Sequence, residues 1–288
     1  METQEFGAFF KEVGGNEGTL CHYPTRLDTY GCGCQHNCAY CYARSLLGFR
    51  GLWNAASPSV ADIDRIRSLV NNRLKPGDIV RLGGMTDCFQ PLERQHRVTY
   101  ETIKALNERH VSYLIVTKSA LIAEPEYLDV LRRDLAHIQV SVTSTSDKLS
   151  KMMEPGASLP GQRIAAIERL AQEGFDVSVR LSPFIPEFVN VERINAIHCD
   201  KILVEFLRVN GFIKRWLNNR GVNTEAYSVR SGGYNHLPLK VKRGLMASLD
   251  FPQKSVCEDV PRHWRFWRDN LNANPDDCCN LTRNQAKR

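Results

Sequence analysis

Four cysteines fall within ten residues of this chain, in the run Gly31-Cys32-Gly33-Cys34-Gln35-His36-Asn37-Cys38-Ala39-Tyr40-Cys41-Tyr42. No other feature limits the possible folds as much. Thiolates at Cys34, Cys38 and Cys41, spaced Cys-x3-Cys-x2-Cys on one loop, can hold three irons of a cubane cluster. The fourth iron then has no protein ligand and is open to an exogenous amino-carboxylate chelate. The same thiols could instead bind zinc, which needs four ligands, with Cys32 or His36 completing the set.

The wider sequence sets the context. The chain has 288 residues and ten cysteines. The first ten residues carry acidic side chains and lack a basic segment followed by an apolar core, so a secretory signal is not expected. No apolar run is long enough to span a bilayer. The expected location is cytoplasmic, or the host cytoplasm for a viral protein. In a reducing compartment, closely spaced cysteines point to metal or thiol chemistry rather than a disulfide framework.

From about residue 78, short β-branched runs alternate with helical stretches. Strands are expected over 79–82, 113–116, 138–142, 177–181 and 202–207, with a weaker first strand around 26–30. Helices are expected over 93–109, 125–133, 161–173 and 191–197. Repeated β–α units build a parallel sheet with right-handed crossovers. The fold class is therefore α/β, and six strands make an open, partial barrel. Gln139, Ser141 and Thr143, then Ser178, Arg180 and Ser182, alternate with apolar residues. One polar face suggests a lumen for a polar ligand; a partly solvated strand would read the same way.

Charge is unevenly spread. Residues 201–288 hold 16 Lys/Arg against 8 Asp/Glu, whereas residues 1–200 hold 22 against 24. A basic C-terminal third suggests a polyanionic partner such as nucleic acid, or a solvated surface. Within it, His263-Trp264-Arg265-Phe266-Trp267-Arg268 either stacks on bases and meets phosphates or forms an amphipathic helix packing Trp264 and Trp267 inward. Cys257, Cys278 and Cys279 are candidates for a second cluster, although adjacent cysteines are poor partners at one tetrahedral ion.

The cysteine spacing, with an aromatic residue, Tyr42, after the third cysteine, resembles the radical S-adenosyl-L-methionine (SAM) superfamily. Further segments resemble its spore photoproduct lyase-like branch: Thr86-Asp87-Cys88-Phe89-Gln90-Pro91-Leu92-Glu93, Val116-Thr117-Lys118-Ser119, Ser141-Val142-Thr143-Ser144, Glu154-Pro155, Arg163 and Pro183-Phe184-Ile185-Pro186. The likeness covers roughly residues 25–210. It implies a six-stranded partial (β/α) barrel core over 1–220 and an irregular basic C-terminal extension over 221–288. It implies a 4Fe-4S cluster on Cys34, Cys38 and Cys41, with Cys32 a bystander. It places Gly83, Gly84, Lys118, Ser141, Tyr40 and Tyr42 around SAM, with Met85 where the family usually has an acidic residue.

In this superfamily the reduced cluster cleaves SAM to a 5′-deoxyadenosyl radical. A flavodoxin or ferredoxin is the expected reductant. Cys88 lies near the position of the lyase's hydrogen-donating cysteine, and reads as a displaced donor or a small buried residue. The expected substrate is a nucleic-acid base. The favoured reaction is isomerisation or modification of a (hyper)modified thymine in DNA, possibly viral. The alternatives are lyase-like DNA repair, radical chemistry on a peptide or small metabolite, and a non-enzymatic metal-binding nucleic-acid protein.

Overall fold

A computed structural model describes residues 21–282 of the chain. Its core is a seven-stranded sheet in which every neighbouring pair is parallel. The strands, in spatial order, are β1 (Arg26–Leu27), β4 (Ile79–Leu82), β5 (Ser112–Thr117), β6 (Ala136–Ser141), β7 (Asp176–Phe184), β8 (Lys201–Phe206) and β11 (Gln253–Val256). Six of these match the expected strands. The seventh, β11, comes from the region read as an irregular extension, and pairs with β8 in register Ser255↔Leu203. A two-residue ladder, β2 (Tyr30–Gly31) with β3 (Ser59–Val60), flanks the cysteine loop. A hairpin of β9 (Val229–Ser231) and β10 (Tyr234–His236) lies beyond β8.

The crossovers carry α1 (Tyr42–Phe49), α2 (Ile63–Arg73), α3 (Glu93–His96), α4 (Val98–Glu108), α5 (Pro125–Val130), α6 (Asp147–Met153), α7 (Pro160–Gln172), α8 (Val191–Asn195), α9 (Gly211–Asn218), α10 (Leu239–Ala247) and α11 (Pro261–Asn270). Proline at the first turn starts α7, and Gly174 at φ +77° follows its end. Its inner face buries Ala166, Ile167 and Leu170.

The helix expected over 93–109 is two helices. Arg97 adopts φ +53° between them. The cause is Glu93, fully buried, which accepts from the Thr99 and Tyr100 amides at 2.9 Å and so caps α4. Tyr30 and Tyr127 donate to the same carboxylate at 2.5 and 2.7 Å.

Alternation along the strands turns one polar face inward, as the lumen reading expected. The C-terminal tail closes the floor of this lumen. Lys201 Nζ donates to Asp176 at 2.6 Å, to the Asn280 carbonyl at 2.9 Å and to Thr282 at 2.8 Å. Tyr23, ahead of β1, donates to Asp277 at 2.7 Å. Leu281 and Cys279 pack with Leu114 of β5 and Leu203 of β8. Thus the segment past residue 220 contributes both a strand and a plug to the barrel.

Candidate radical site

The cysteine loop is shaped by contacts from distant segments. Asn37 takes φ +47°, and its amide donates to the Cys34 carbonyl at 3.0 Å, turning the chain between the first two thiols. Cys41 is the N-cap of α1, with its sulfur 3.4 Å from the Arg44 amide. The positive end of a helix favours a thiolate there. The Ala39 amide donates to Met153 at 2.8 Å and the Gln35 amide to Gln90 Oε1 at 2.8 Å. At Gly156 the approach is so close that a Cβ would lie 1.9 Å from the Gln35 carbonyl oxygen.

That underlying segment is anchored by a buried ion pair. Arg163 pairs with Glu154, both about 1% exposed, and also donates to Ser158 and Ser141 carbonyls at 2.6 and 2.9 Å. Thr143 donates to Glu154 at 2.6 Å. The Glu154-Pro155 and Arg163 signatures therefore hold up the cysteine loop from below.

Cys34, Cys38 and Cys41 line one wall of a cavity of about 1060 Å³, counting its open mouth. Gly83, Gly84, Lys118, Ser141, Tyr40 and Tyr42 line the same cavity. The structure thus brings together every expected cofactor residue. Burial, helped by the Asp87 carboxylate, pushes the Cys34 thiol up to about 12. Burial also raises Cys38 and Cys41, against the pull of the Lys118 ammonium. Metal ligation must displace those thiol protons. Lys118 Nζ lies 5.8 Å from the Tyr40 ring centre.

His36 and Cys32 do not complete a four-ligand set. His36 Nδ1 is turned to Asp87 at 3.3 Å, and Cys32, at φ +52°, is absent from the cavity wall. Burial pushes Asp87 up, but His36, the Lys118 amide and the Thr117 hydroxyl outweigh it and hold the carboxyl at about 2. A bound group with three protein thiols and one open coordination position fits this wall; a closed tetrahedral ion does not.

Opposite the thiols, Gly83 takes φ +80°, and a Cβ on Gly84 would come within 2.8 Å of Arg26 Cδ. Asp28, overlooked in the sequence, fixes this turn by accepting from the Gly84 and Met85 amides at 2.6 and 3.1 Å. Tyr42 donates to the Gly84 carbonyl at 2.5 Å. Deeper in the lumen, Arg180 donates to Glu205 at 2.6 Å and to Gln139 at 2.5 Å. Burial would raise Glu205, but Arg180 and Arg208 hold it well below the usual carboxylate range.

Burial bears on two readings that the sequence left open. Cys88 is fully buried and does not line the cavity; desolvation drives its thiol well above its ordinary value. The thiol that does reach this lumen from outside the cysteine loop is Cys257. Trp267 is 1% exposed, with its indole N–H 3.4 Å from Glu258, so it is core and not a stacking platform.

An aromatic surface on the two helices that flank the cavity was missed by the sequence reading. Tyr42 of α1 and Ile213 of α9 line the cavity, and the two helices meet through Asn210 and Ser45 at 3.1 Å. From them Phe49 (79% exposed) and Phe212 (40%) face outward, while the half-buried Trp216 packs against the core, in edge-on and tilted contacts at 6.4 and 6.2 Å. The Arg44 guanidinium lies 4.6 Å over Trp216, and Lys214, Arg215 and Arg220 are exposed alongside. The signal lay in the run Phe212-Ile213-Lys214-Arg215-Trp216, as aromatic and basic as residues 263–268.

Among the described residues no helix is long and apolar enough to cross a membrane. An uncharacterized protein of Methanocaldococcus jannaschii is 28% identical over 169 residues, 56% of this chain and 61% of that relative's length. An uncharacterized protein of Acidianus two-tailed virus is 24% identical over 211 residues, 67% of each chain. A structure of spore photoproduct lyase complexed with dinucleoside spore photoproduct superimposes with a TM-score of 0.58 at 15% identity, covering 84% of this chain and 74% of that one. This likeness is one of fold. The family model for the radical SAM superfamily matches residues 29–198. The chain belongs to the radical SAM superfamily, whose membership implies a 4Fe-4S cluster and S-adenosylmethionine.

Proposed function

We propose that Cys34, Cys38 and Cys41 hold the family's 4Fe-4S cluster, and that the enzyme acts on a base of a nucleic acid. The favoured reaction is isomerisation or modification of a (hyper)modified thymine in DNA. The cluster with SAM supplies a 5′-deoxyadenosyl radical. The chain's own residues then have four tasks. Gly83 and Gly84 give a backbone edge that Asp28 keeps rigid. Lys118 sets a positive charge beside the thiols, suited to a carboxylate. Ser141 adds a hydroxyl to the wall. Arg180, Glu205 and Arg208 form a charged patch in which both guanidiniums pair with the one carboxylate.

The observation that carries the substrate class is the aromatic and basic surface of α1 and α9. Phe49 and Phe212 are exposed there, the half-buried Trp216 lies under the Arg44 guanidinium, and Tyr42 and Ile213 of the same two helices line the cavity. Base–aromatic stacking is worth roughly 1–3 kcal/mol per base, and phosphate contacts make binding salt-dependent. Cys88 is fully buried and off the cavity wall, which favours its reading as a packing residue over that of a hydrogen donor. The test uses anaerobically loaded enzyme with DNA oligonucleotides across a salt series. Phe212→Ala with Trp216→Ala should weaken binding at every salt concentration and leave substrate-free SAM cleavage in place. If the loaded enzyme has no salt-dependent affinity for single- or double-stranded DNA or for RNA, the nucleic-acid reading fails. A peptide or metabolite then becomes the substrate class to pursue.

A further inference from the structure

A second group of thiols gathers where the open barrel would close. Cys21 precedes edge strand β1, Cys257 follows edge strand β11, and Cys278 and Cys279 lie in the plug. All four line one pocket of about 680 Å³, counting open solvent. Cys278 lies beside both Cys257 and Cys279 in that pocket. Beneath them is an apolar floor of Tyr23, Leu114, Leu203 and Leu281. This pocket shares Arg81, Arg180, Glu205, Arg208 and Cys257 with the SAM cavity, so the two are neighbours.

The adjacent cysteines both reach the pocket because of the turn that follows them. Asn280 takes φ +51°, and Asp277 accepts from the Cys279 and Leu281 amides at 2.9 and 3.1 Å. Cations face the sulfurs. Arg180 is 3% exposed, and its Nε, like that of Arg81, has no hydrogen-bond partner among the described residues. Burial works against the Arg180 charge, but Glu205, Cys257 and Cys279 outweigh it. An anionic centre beside two guanidiniums would satisfy both sides.

We propose that Cys21, Cys257, Cys278 and Cys279 form a second metal centre, a thiolate-ligated site for a thiophilic metal, separate from Cys34, Cys38 and Cys41. Thiolates select zinc and iron–sulfur clusters. Each thiol that ligates gives its proton to solvent. The adjacency of Cys278 and Cys279 is easier to accommodate on a centre with several metal atoms than on one tetrahedral ion. A neighbouring trio, His236, Glu258 and Asp259, has donor atoms within 4.8 Å of one another. Its carboxylates are already paired, Glu258 with Lys242 at 2.5 Å and Asp259 with Arg208 at 3.2 Å.

The test starts from a chain with Cys34→Ala, Cys38→Ala and Cys41→Ala, so it does not depend on the first site or on the substrate reading. The chain is loaded anaerobically with ferrous iron and sulfide, or separately with zinc, desalted and assayed for metal. About four irons with matching sulfide identify a cluster, and about one zinc with no iron identifies a tetrathiolate ion. Adding Cys278→Ser and Cys279→Ser should abolish whichever is found. Wild-type protein gives a readout free of mutations. In mass-spectrometric alkylation mapping, metal loading should protect Cys21, Cys257, Cys278 and Cys279 against a thiol reagent. If the first-site variant melts cooperatively yet retains neither metal, or if loading leaves these four thiols as reactive as before, the site does not exist.

Discussion

The two thiol groups that border the lumen are assembled in opposite ways. Cys34, Cys38 and Cys41 come from eight consecutive residues. Their spacing is local, and distant segments only brace the loop. The second group draws on three segments, and the hydrogen bond that fastens its outer parts joins Tyr23 to Asp277 across 254 residues. A contiguous set is arranged by turn geometry and a helix cap. A dispersed set exists only when β1, β11 and the plug are all in place. The first should therefore fail through its own atoms or its braces, and the second through any loss of barrel closure.

The largest effect tests that contrast at the thiols themselves. Replacing Cys34, Cys38 and Cys41 by alanine should abolish the broad visible absorbance of the first cluster and all reductive SAM cleavage. Replacing Cys278 and Cys279 by serine should leave most substrate-free cleavage in place. Equal loss in both variants, measured as 5′-deoxyadenosine formed per chain, would erase the distinction.

Next comes the brace. Arg163→Met leaves Glu154 buried without its cation, which typically costs about 3–5 kcal/mol. For a chain of this size that lowers Tm by roughly 6–20 °C. Hydrogen exchange should rise in the cysteine loop before it rises in the plug. A shift too small to resolve would mean that the pair is no anchor.

These comparisons show why one half of the site was legible and the other was not. Cysteine spacing is a one-dimensional signal, and so are alternating strands, so the loop and six strands could be read directly. The expected helix over 93–109 failed because periodicity does not register that the buried Glu93 reaches forward to cap α4. β11 was missed because Gln253-Lys254-Ser255-Val256 is short and polar at three of its four positions, and it becomes a strand only by pairing with β8. Cys88 drew attention by its nearness to a motif, and burial decides against it. Cys21 was not joined to Cys257, Cys278 and Cys279 because it lies more than two hundred residues from them in sequence.

Acid should separate the two regions by a smaller margin. Burial pushes Glu258 up, but His263 and Lys242 outweigh it and hold it at about 2. A carboxyl whose folded pKa is depressed stabilises the fold above its unfolded value, and that contribution is lost as pH falls. The window here runs from about pH 4.5 down to about 2, and the loss is at most about 3 kcal/mol. Asp87 follows the same sign from a lower starting value. The urea midpoint should therefore fall between pH 5 and pH 3. Lys242→Met should change that profile, because without the cation Glu258 protonates at higher pH. An unchanged profile would remove Glu258 as the acid-sensitive anchor beside Cys257.

The smallest effect concerns a single methyl group. At Gly156 an added Cβ would sit 1.9 Å from the Gln35 carbonyl oxygen, a backbone atom that cannot rotate away. Gly156→Ala must therefore push the cysteine loop off its support, at a cost of roughly 1–3 kcal/mol if the response resembles core overpacking. Gly48 in α1 is the control. A Cβ there meets nothing within 4 Å, and alanine in a helix interior should stabilise by roughly 0.5–1 kcal/mol. The two substitutions add the same atom on either side of one thiol loop, so their opposite signs isolate the close approach from the chemistry of alanine. Iron loading should fall in Gly156→Ala and not in Gly48→Ala, while zinc or iron bound at the second thiol group stays constant in both. If Gly156→Ala loads and melts like the parent, the loop does not rest on the 153–156 segment, and the thiol spacing must be maintained by its own turns alone.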